Sequence, residues 1–364
     1  MSYEPRDALY ARDDLLAGLD RANPIGFFET FDLRAFRTFV KDGGATAATR
    51  DVREAQARHD ASIADALRVW LEAERPRLVG VMGGHKLTRA EPAYARVAEL
   101  ARTLTREGFL VVTGGGPGAM EAAHLGALLA SGDDALLGQA LALLAPSAAL
   151  PNLIDLVGED GQVRPGREGD LKAAHLWLDA ALKVLDIAPA DPGRSLAIPT
   201  WLYGQEPTMP FATAYAKYFQ NSIREEALVT EARAGIIYAR GGGGTIREIF
   251  QDVEQNYYAP SAALFTPMIF YDGDGYWQRP AIYGADGKVQ SPGIRLDVVL
   301  PDIVRFARAS RKDAGSCLAK LAFTTDTPGI LDLLNEHAPV AEKAMKALLS
   351  NPVESLARAR WNRG

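Results

Sequence analysis

Apolar residues recur along this chain in two rhythms. Short continuous runs at Leu78–Met82 (LVGVM), Phe109–Thr113 (FLVVT), Ser195–Pro199 (SLAIP), Gly235–Ala239 (GIIYA), Met268–Tyr271 and Leu321–Thr325 read as strands buried on both faces. Between them the spacing turns helical. Ala93, Val97, Leu100 and Leu104 share one helical face that Gly108 ends, and further helices are expected over Met120–Leu129, Ala212–Ala232 and Glu248–Tyr257 and near Leu331. Strands alternating with helices predict an α/β fold, a Rossmann-like doubly wound, mostly parallel sheet.

Two stretches fall outside the alternation. Residues 1–75 read as a helical N-terminal extension, in which Ile63, Ala66, Leu67, Trp70 and Leu71 mark a helix over Val52–Arg75. Residues 130–194, with Pro146, Pro151, Pro165, Pro189 and Pro192, a polar patch over Gly158–Gly169 and one amphipathic helix over Leu171–Leu185, read as an insertion. The expected organisation is therefore an extension, a Rossmann-like domain over residues 76–350 carrying the insertion, and a C-terminal tail at 351–364.

Composition narrows the class. With 364 residues, 48% hydrophobic and 24% charged, the chain is of ordinary globular type. A net charge of −6 opposes a nucleic acid or an anionic membrane as partner. Cys317 is the only cysteine, which excludes an intrachain disulfide and a cysteine-based zinc site and makes a cytoplasmic location the expectation. The charged segment MSYEPRDALYARDD lacks the apolar core of a signal peptide, and Ala135–Leu150, interrupted by Gln139 and Pro146, is too short to span a bilayer.

The chemistry concentrates in two glycine clusters, each after a strand and before a helix. They are Gly114-Gly115-Gly116-Pro117-Gly118, and Gly241-Gly242-Gly243-Gly244 followed by Thr245 and Glu248. Backbone N–H groups at such a turn meet an anion, so two of them predict a phosphorylated ligand. Met82-Gly83-Gly84-His85 after the first strand does not match the dinucleotide fingerprint, and no phosphate-loop motif of the Walker type occurs. A mononucleotide-sized site remains.

Val112–Ala123 (VTGGGPGAMEAA) and Arg240–Glu248 (RGGGGTIRE) resemble the paired signatures of the LOG family, lysine-decarboxylase-like Rossmann proteins that act as phosphoribohydrolases. Its second signature is P-G-G-x-G-T-x-x-E. Gly241, Gly242, Gly244, Thr245 and Glu248 match it, and Arg240 replaces the proline. Arg224 in NSIREEAL stands where that family carries an arginine, Gly83 and Gly84 resemble its first-strand turn, and Pro267–Trp277 resembles its strand and Gly-Tyr-aromatic turn. The likeness covers about Leu78–Gly126 and Ser195–Leu334.

The resemblance implies a homodimer or higher homo-oligomer that needs no cofactor or metal. It also implies hydrolysis of the N-glycosidic bond of a purine nucleoside 5′-monophosphate such as AMP. Glu248 would stabilise positive charge developing on the ribose and direct water, and Arg224 would hold ribose, phosphate or base. The phosphate would rest on Gly242, Gly243, Gly244 and Thr245, while Gly83, Gly84, Gly114, Gly115, Gly116, Gly118 and Glu121 would complete the substrate contacts. Each residue has a plainer reading. Thr245 and Glu248 also form a capping box, Arg224 also suits a surface ion pair, and Glu121 also answers a helix dipole. A regulator that binds a mononucleotide or alarmone without cleaving it would carry the same loops. His59, His85, His175 and His337 show no metal-ligand spacing, and only His85, with Lys86, follows a glycine turn. His124 stands where the LOG proteins often have asparagine. A pyridoxal enzyme would need a Schiff-base lysine with a phosphate cup, a constellation the sequence does not offer.

Overall fold

The computed structural model describes residues 3–74 and 76–350; the tail expected at 351–364 lies outside the described residues. Three helices come first, α1 (Arg12–Leu16), α2 (Phe31–Lys41) and α3 (Arg50–Glu74). Then follow β1 (Arg77–Met82), α4 (Pro92–Arg106), β2 (Phe109–Thr113) and α5 (Ala119–Leu128). Two helices, α6 (Asp134–Leu144) and α7 (Glu168–Leu185), precede β3 (Ser195–Ala197), β4 (Ala214–Tyr215), α8 (Asn221–Glu231), β5 (Gly235–Ala239) and α9 (Gly243–Tyr258). The chain continues through β6 (Met268–Tyr271), a hairpin of β7 (Ile282–Tyr283) and β8 (Val289–Ser291), α10 (Leu296–Ala307), α11 (Ala314–Leu318), β9 (Leu321–Phe323) and α12 (Thr327–Ser350). The strand order is β4-β3-β2-β1-β5-β6-β9. This is the Rossmann-like doubly wound α/β fold that the apolar runs predict.

Contacts divide the chain into two compact units. One holds the residues up to Pro76 together with His85–Leu228; the other holds Arg77–Gly84 and the chain from Val229 onward.

In the first unit β2, β3 and β4 pair in parallel, with Val112 opposite Leu196 and Ala197 opposite Tyr215. Helix α5 crosses α4 so closely that a Cβ on Gly126 would collide with the Ala98 carbonyl. The N-terminal helices pack against the stretch between β3 and α8. Trp201 stacks on Phe219 at 4.3 Å, and His59 meets both rings edge-on. Tyr10 exchanges backbone hydrogen bonds of 3.0 and 2.9 Å with Tyr215.

The expected helix over Ala212–Ala232 is only half formed. Helix starts at Asn221, and residues 212–219 instead run extended and almost wholly buried. Buried Asp60 explains the boundary: its carboxylate accepts from the N–H groups of Phe219 at 3.0 Å and Gln220 at 2.9 Å. Gln220 N–H is one of the donors that a new helix leaves without an internal partner. Lys217 therefore does not share a helical face with Arg224; it is buried and donates to Asp32 at 2.6 Å.

In the second unit β1, β5, β6 and β9 pair in parallel, with Tyr238 opposite Phe270 and Phe270 opposite Phe323. The three rings stack, at centroid distances of 5.3 and 4.6 Å, so the register is fixed by aromatic contact as well as by the ladder. Behind them Tyr238 donates its hydroxyl hydrogen to Asp252 of α9 at 2.8 Å. Burial pushes the Asp252 carboxyl up to about 8.

Candidate functional site

Strand order reverses between β1 and β5, both in the second unit. In doubly wound sheets ligands bind beyond the carboxyl ends of such strands. The backbone after β1 and the backbone after β5 lie against each other there. Gly84 N–H donates to the Arg240 carbonyl at 3.0 Å, and a Cβ on Gly84 would lie 3.2 Å from that oxygen and from the Gly241 Cα. A Cβ on Gly241 would in turn collide with the Thr245 side chain.

Helix α9 begins at Gly243, with Gly242 at the cap position and no side chain capping it. Thr245 thus lies inside the first turn, packed over Gly241, and the capping box that was the plainer reading of T-x-x-E does not form. Gly242, Gly243 and Gly244 are exposed, and a Cβ on any of them would meet no atom within 4 Å. Thr245 and Glu248 are buried one turn apart on the same helix, 4% and 7% exposed. The Glu248 charge is felt by buried Tyr238, whose ionisation it further opposes.

The turn after β6 holds this loop in place. Asp272 accepts from the N–H groups of Asp274 and Tyr276, Tyr276 donates its hydroxyl hydrogen to the Gly241 carbonyl at 2.9 Å, and Trp277 Nε1 donates to the Tyr238 carbonyl at 3.2 Å. Arg240, in the proline position, is half exposed. Its guanidinium stands 5.0 Å from the Tyr276 ring centroid and 4.0 Å from Asp274. The second unit therefore brings Gly83, Gly84, Gly242, Gly243, Gly244, Thr245 and Glu248 together at one helix start.

The first unit builds a different turn. Gly115 at φ +70° and Gly118 at φ +75° hold conformations that side chains disfavour. Gly115 N–H donates to Thr113 Oγ1 at 2.9 Å. That hydroxyl lies 2.8 Å from His124 Nε2, and His124 Nδ1 lies 2.8 Å from Ser195 Oγ. Burial pushes His124 down to about 3, so the ring is neutral and donates to one hydroxyl while accepting from the other. His124 is a brace under the turn.

Arg224 is 8% exposed, donates through Nε to the Ile198 carbonyl at 3.0 Å, and lies so close to Gly114 that a Cβ there would strike its guanidinium. Gly114, Gly115, Gly116 and Arg224 are thus one constellation. Glu121 is not part of it. Its fully buried carboxylate accepts from Arg89 Nη2 at 2.5 Å and Nε at 3.0 Å, and Arg89 stacks 3.8 Å over Trp177. Both its oxygens are engaged by a residue with no motif around it, which no spacing rule singles out.

A family model described as the SLOG cluster4 family matches residues 76–134. The matched stretch covers β1, the first glycine turn and α5 and ends before Arg224 and the second glycine cluster. It makes this part of the chain similar to a superfamily that includes LOG-like proteins and supports a nucleotide-related function. No curated protein matches the chain.

His59, His175 and His337 are packed, whereas His85 and Lys86 are exposed. Among the described residues no group of three or more His, Cys, Asp or Glu side chains could hold a metal ion, and no helix is long and apolar enough to cross a membrane. Glu206 is a candidate that sequence reasoning misses. Its Oε2 lies 4.0 Å from where a Gly116 Cβ would stand, but it sits in WLYGQEPTMPF, outside any motif or periodic run.

Proposed function

We propose that this protein hydrolyses the N-glycosidic bond of a purine nucleoside 5′-monophosphate, AMP foremost, to the free base and ribose 5-phosphate. The observation that carries the reading is the start of α9, where three exposed glycines front open space and a buried carboxylate follows on the same helix. First-turn N–H groups and the helix dipole suit a phosphate at Gly242–Thr245. Glu248 is then the carboxylate that offsets charge on the ribose as the base leaves, and it takes the proton of the attacking water.

Purified protein incubated with AMP, GMP, CMP, UMP and an N6-substituted AMP should release free base, most rapidly from a purine substrate, as followed by chromatography. Glu248→Gln should lower turnover by about 10²–10⁴-fold with nucleotide binding largely kept, since it removes the charge and leaves the shape. Unchanged turnover would remove Glu248 from the mechanism. No base from any nucleotide, with AMP still raising the melting temperature, would favour a nucleotide- or alarmone-binding regulator.

A further inference from the structure

The loop that leads into α9 carries a cation that the fold leaves largely unengaged. Arg240 joins β5 to this loop, and its carbonyl is held by Gly84 N–H at 3.0 Å. Its guanidinium stands 5.0 Å from the centroid of the Tyr276 ring, and the hydroxyl of that ring donates to the carbonyl of Gly241, the next residue. The cation therefore rests on the ring that braces the loop. Burial pushes the Tyr276 phenol up, and the Arg240 charge acts on it in the opposite sense. Among the described residues the Arg240 side chain donates no hydrogen bond, and its ion pair with Asp274 spans 4.0 Å with the two side chains 49% and 64% exposed. An exposed pair of that length contributes little, so the donors of Arg240 are open to a ligand. All of these residues belong to the second unit.

We propose that Arg240 is a specificity-determining residue of the site proposed above, selecting a ligand that ends in a phosphate dianion. This rests on the reading that places the phosphate on Gly242–Thr245. A helix start offers backbone N–H groups and only a partial positive charge. A phosphomonoester carries nearly two negative charges at neutral pH, because its second ionisation falls near about 6. Arginine stays charged throughout and meets phosphate oxygens with paired N–H donors, so Arg240 answers the second charge. It also offsets Asp274, whose carboxylate beside the loop would otherwise repel an anion. A phosphodiester or an unphosphorylated nucleoside lacks that second charge and gains less from Arg240. The LOG signature has proline at this position, so the selectivity comes from this chain's own residue.

Calorimetry on the full chain at pH 7.5 tests this with AMP, with its 5′-methyl phosphate ester, which keeps one phosphate charge, and with adenosine, which has none. Wild type should bind AMP most tightly and adenosine least. Arg240→Gln should weaken AMP by about tenfold or more, the methyl ester by only a few-fold and adenosine not at all, with the melting temperature unchanged because the side chain is half exposed. Arg240→Lys should fall between wild type and Arg240→Gln, since it keeps the charge and loses the paired donors. Equal losses on all three ligands, AMP affinity unchanged in Arg240→Gln, or wild type that binds AMP and its methyl ester alike would overturn the assignment. The wild-type series and Arg240→Lys decide it even if Arg240→Gln fails to fold. Wild type that prefers AMP to its ester yet releases no base would support Arg240 in this role and overturn hydrolysis alone. Wild type that binds AMP no more tightly than adenosine would overturn the assignment together with the phosphate site beneath it.

Discussion

At Gly242, Gly243 and Gly244 the fold makes no steric demand for glycine: none has a positive φ and none would crowd a neighbour with a Cβ. Glycine in a helical turn costs about 0.5–1 kcal/mol relative to alanine, so Gly243 and Gly244, already inside α9, weaken it for no internal gain. The phosphate proposed to lie on this backbone would supply the reason. Gly243→Ala should leave the melting temperature unchanged or raised, yet weaken AMP binding at least tenfold by calorimetry, because a methyl would occupy the phosphate position. Gly241→Ala should behave oppositely and lower stability, since Thr245 already fills that space. Equal affinity in Gly243→Ala would put the phosphate elsewhere. The sequence made this loop legible because its chemistry is local. At Thr245 it left a capping box open, since T-x-x-E spacing does not say where the helix starts, and here two glycines are already helical before the threonine. It was silent on Glu206, whose place depends on Phe36 and Asp32, far away in the chain.

Elements built from runs buried on both faces were the readable part, because β1, β2, β5 and β6 need nothing beyond their own residues to be recognised. Residues 212–219 defeated the pattern because their polar members are satisfied by distant partners: Lys217 by Asp32, and the Phe219 backbone by Asp60. Helix α9 also carries a buried titratable group. Asp252 holds its proton to about 8 in the folded chain, whereas an unfolded aspartate releases it near about 3.9. Between those values the folded state binds the extra proton, so stability declines as pH rises towards about 8 and is greatest below the unfolded value. Thermal melts between pH 5 and 9 should therefore show a steeper fall for wild type than for Asp252→Asn, which has no proton to lose. Parallel curves would mean that Asp252 does not titrate in this range.

Across the whole molecule, the N-terminal helices are one part that the family likeness leaves unexplained, and the packing gives them a task. Asp32, His59 and Asp60 are buried, and with Tyr10 they hold the chain from Trp201 to Gln220, which leads into α8 and Arg224. Losing Asp32 alone would strand a buried ammonium, a change that costs about 3–5 kcal/mol, comparable with the lower end of a domain's net stability. Deleting residues 1–75 would also uncover the stacked Trp201 and Phe219 rings and the outer edge of β4. The shortened chain should lose cooperative melting, bind a dye for exposed apolar surface, and release no base from AMP. Asp32→Asn in the full chain should fold with a lowered melting temperature, keeping the hydrogen-bond acceptor for Trp201 while removing the charge that Lys217 faces. A shortened chain that still melts cooperatively and cleaves AMP would show that these helices are an appendage, and that β3 to α8 shapes itself.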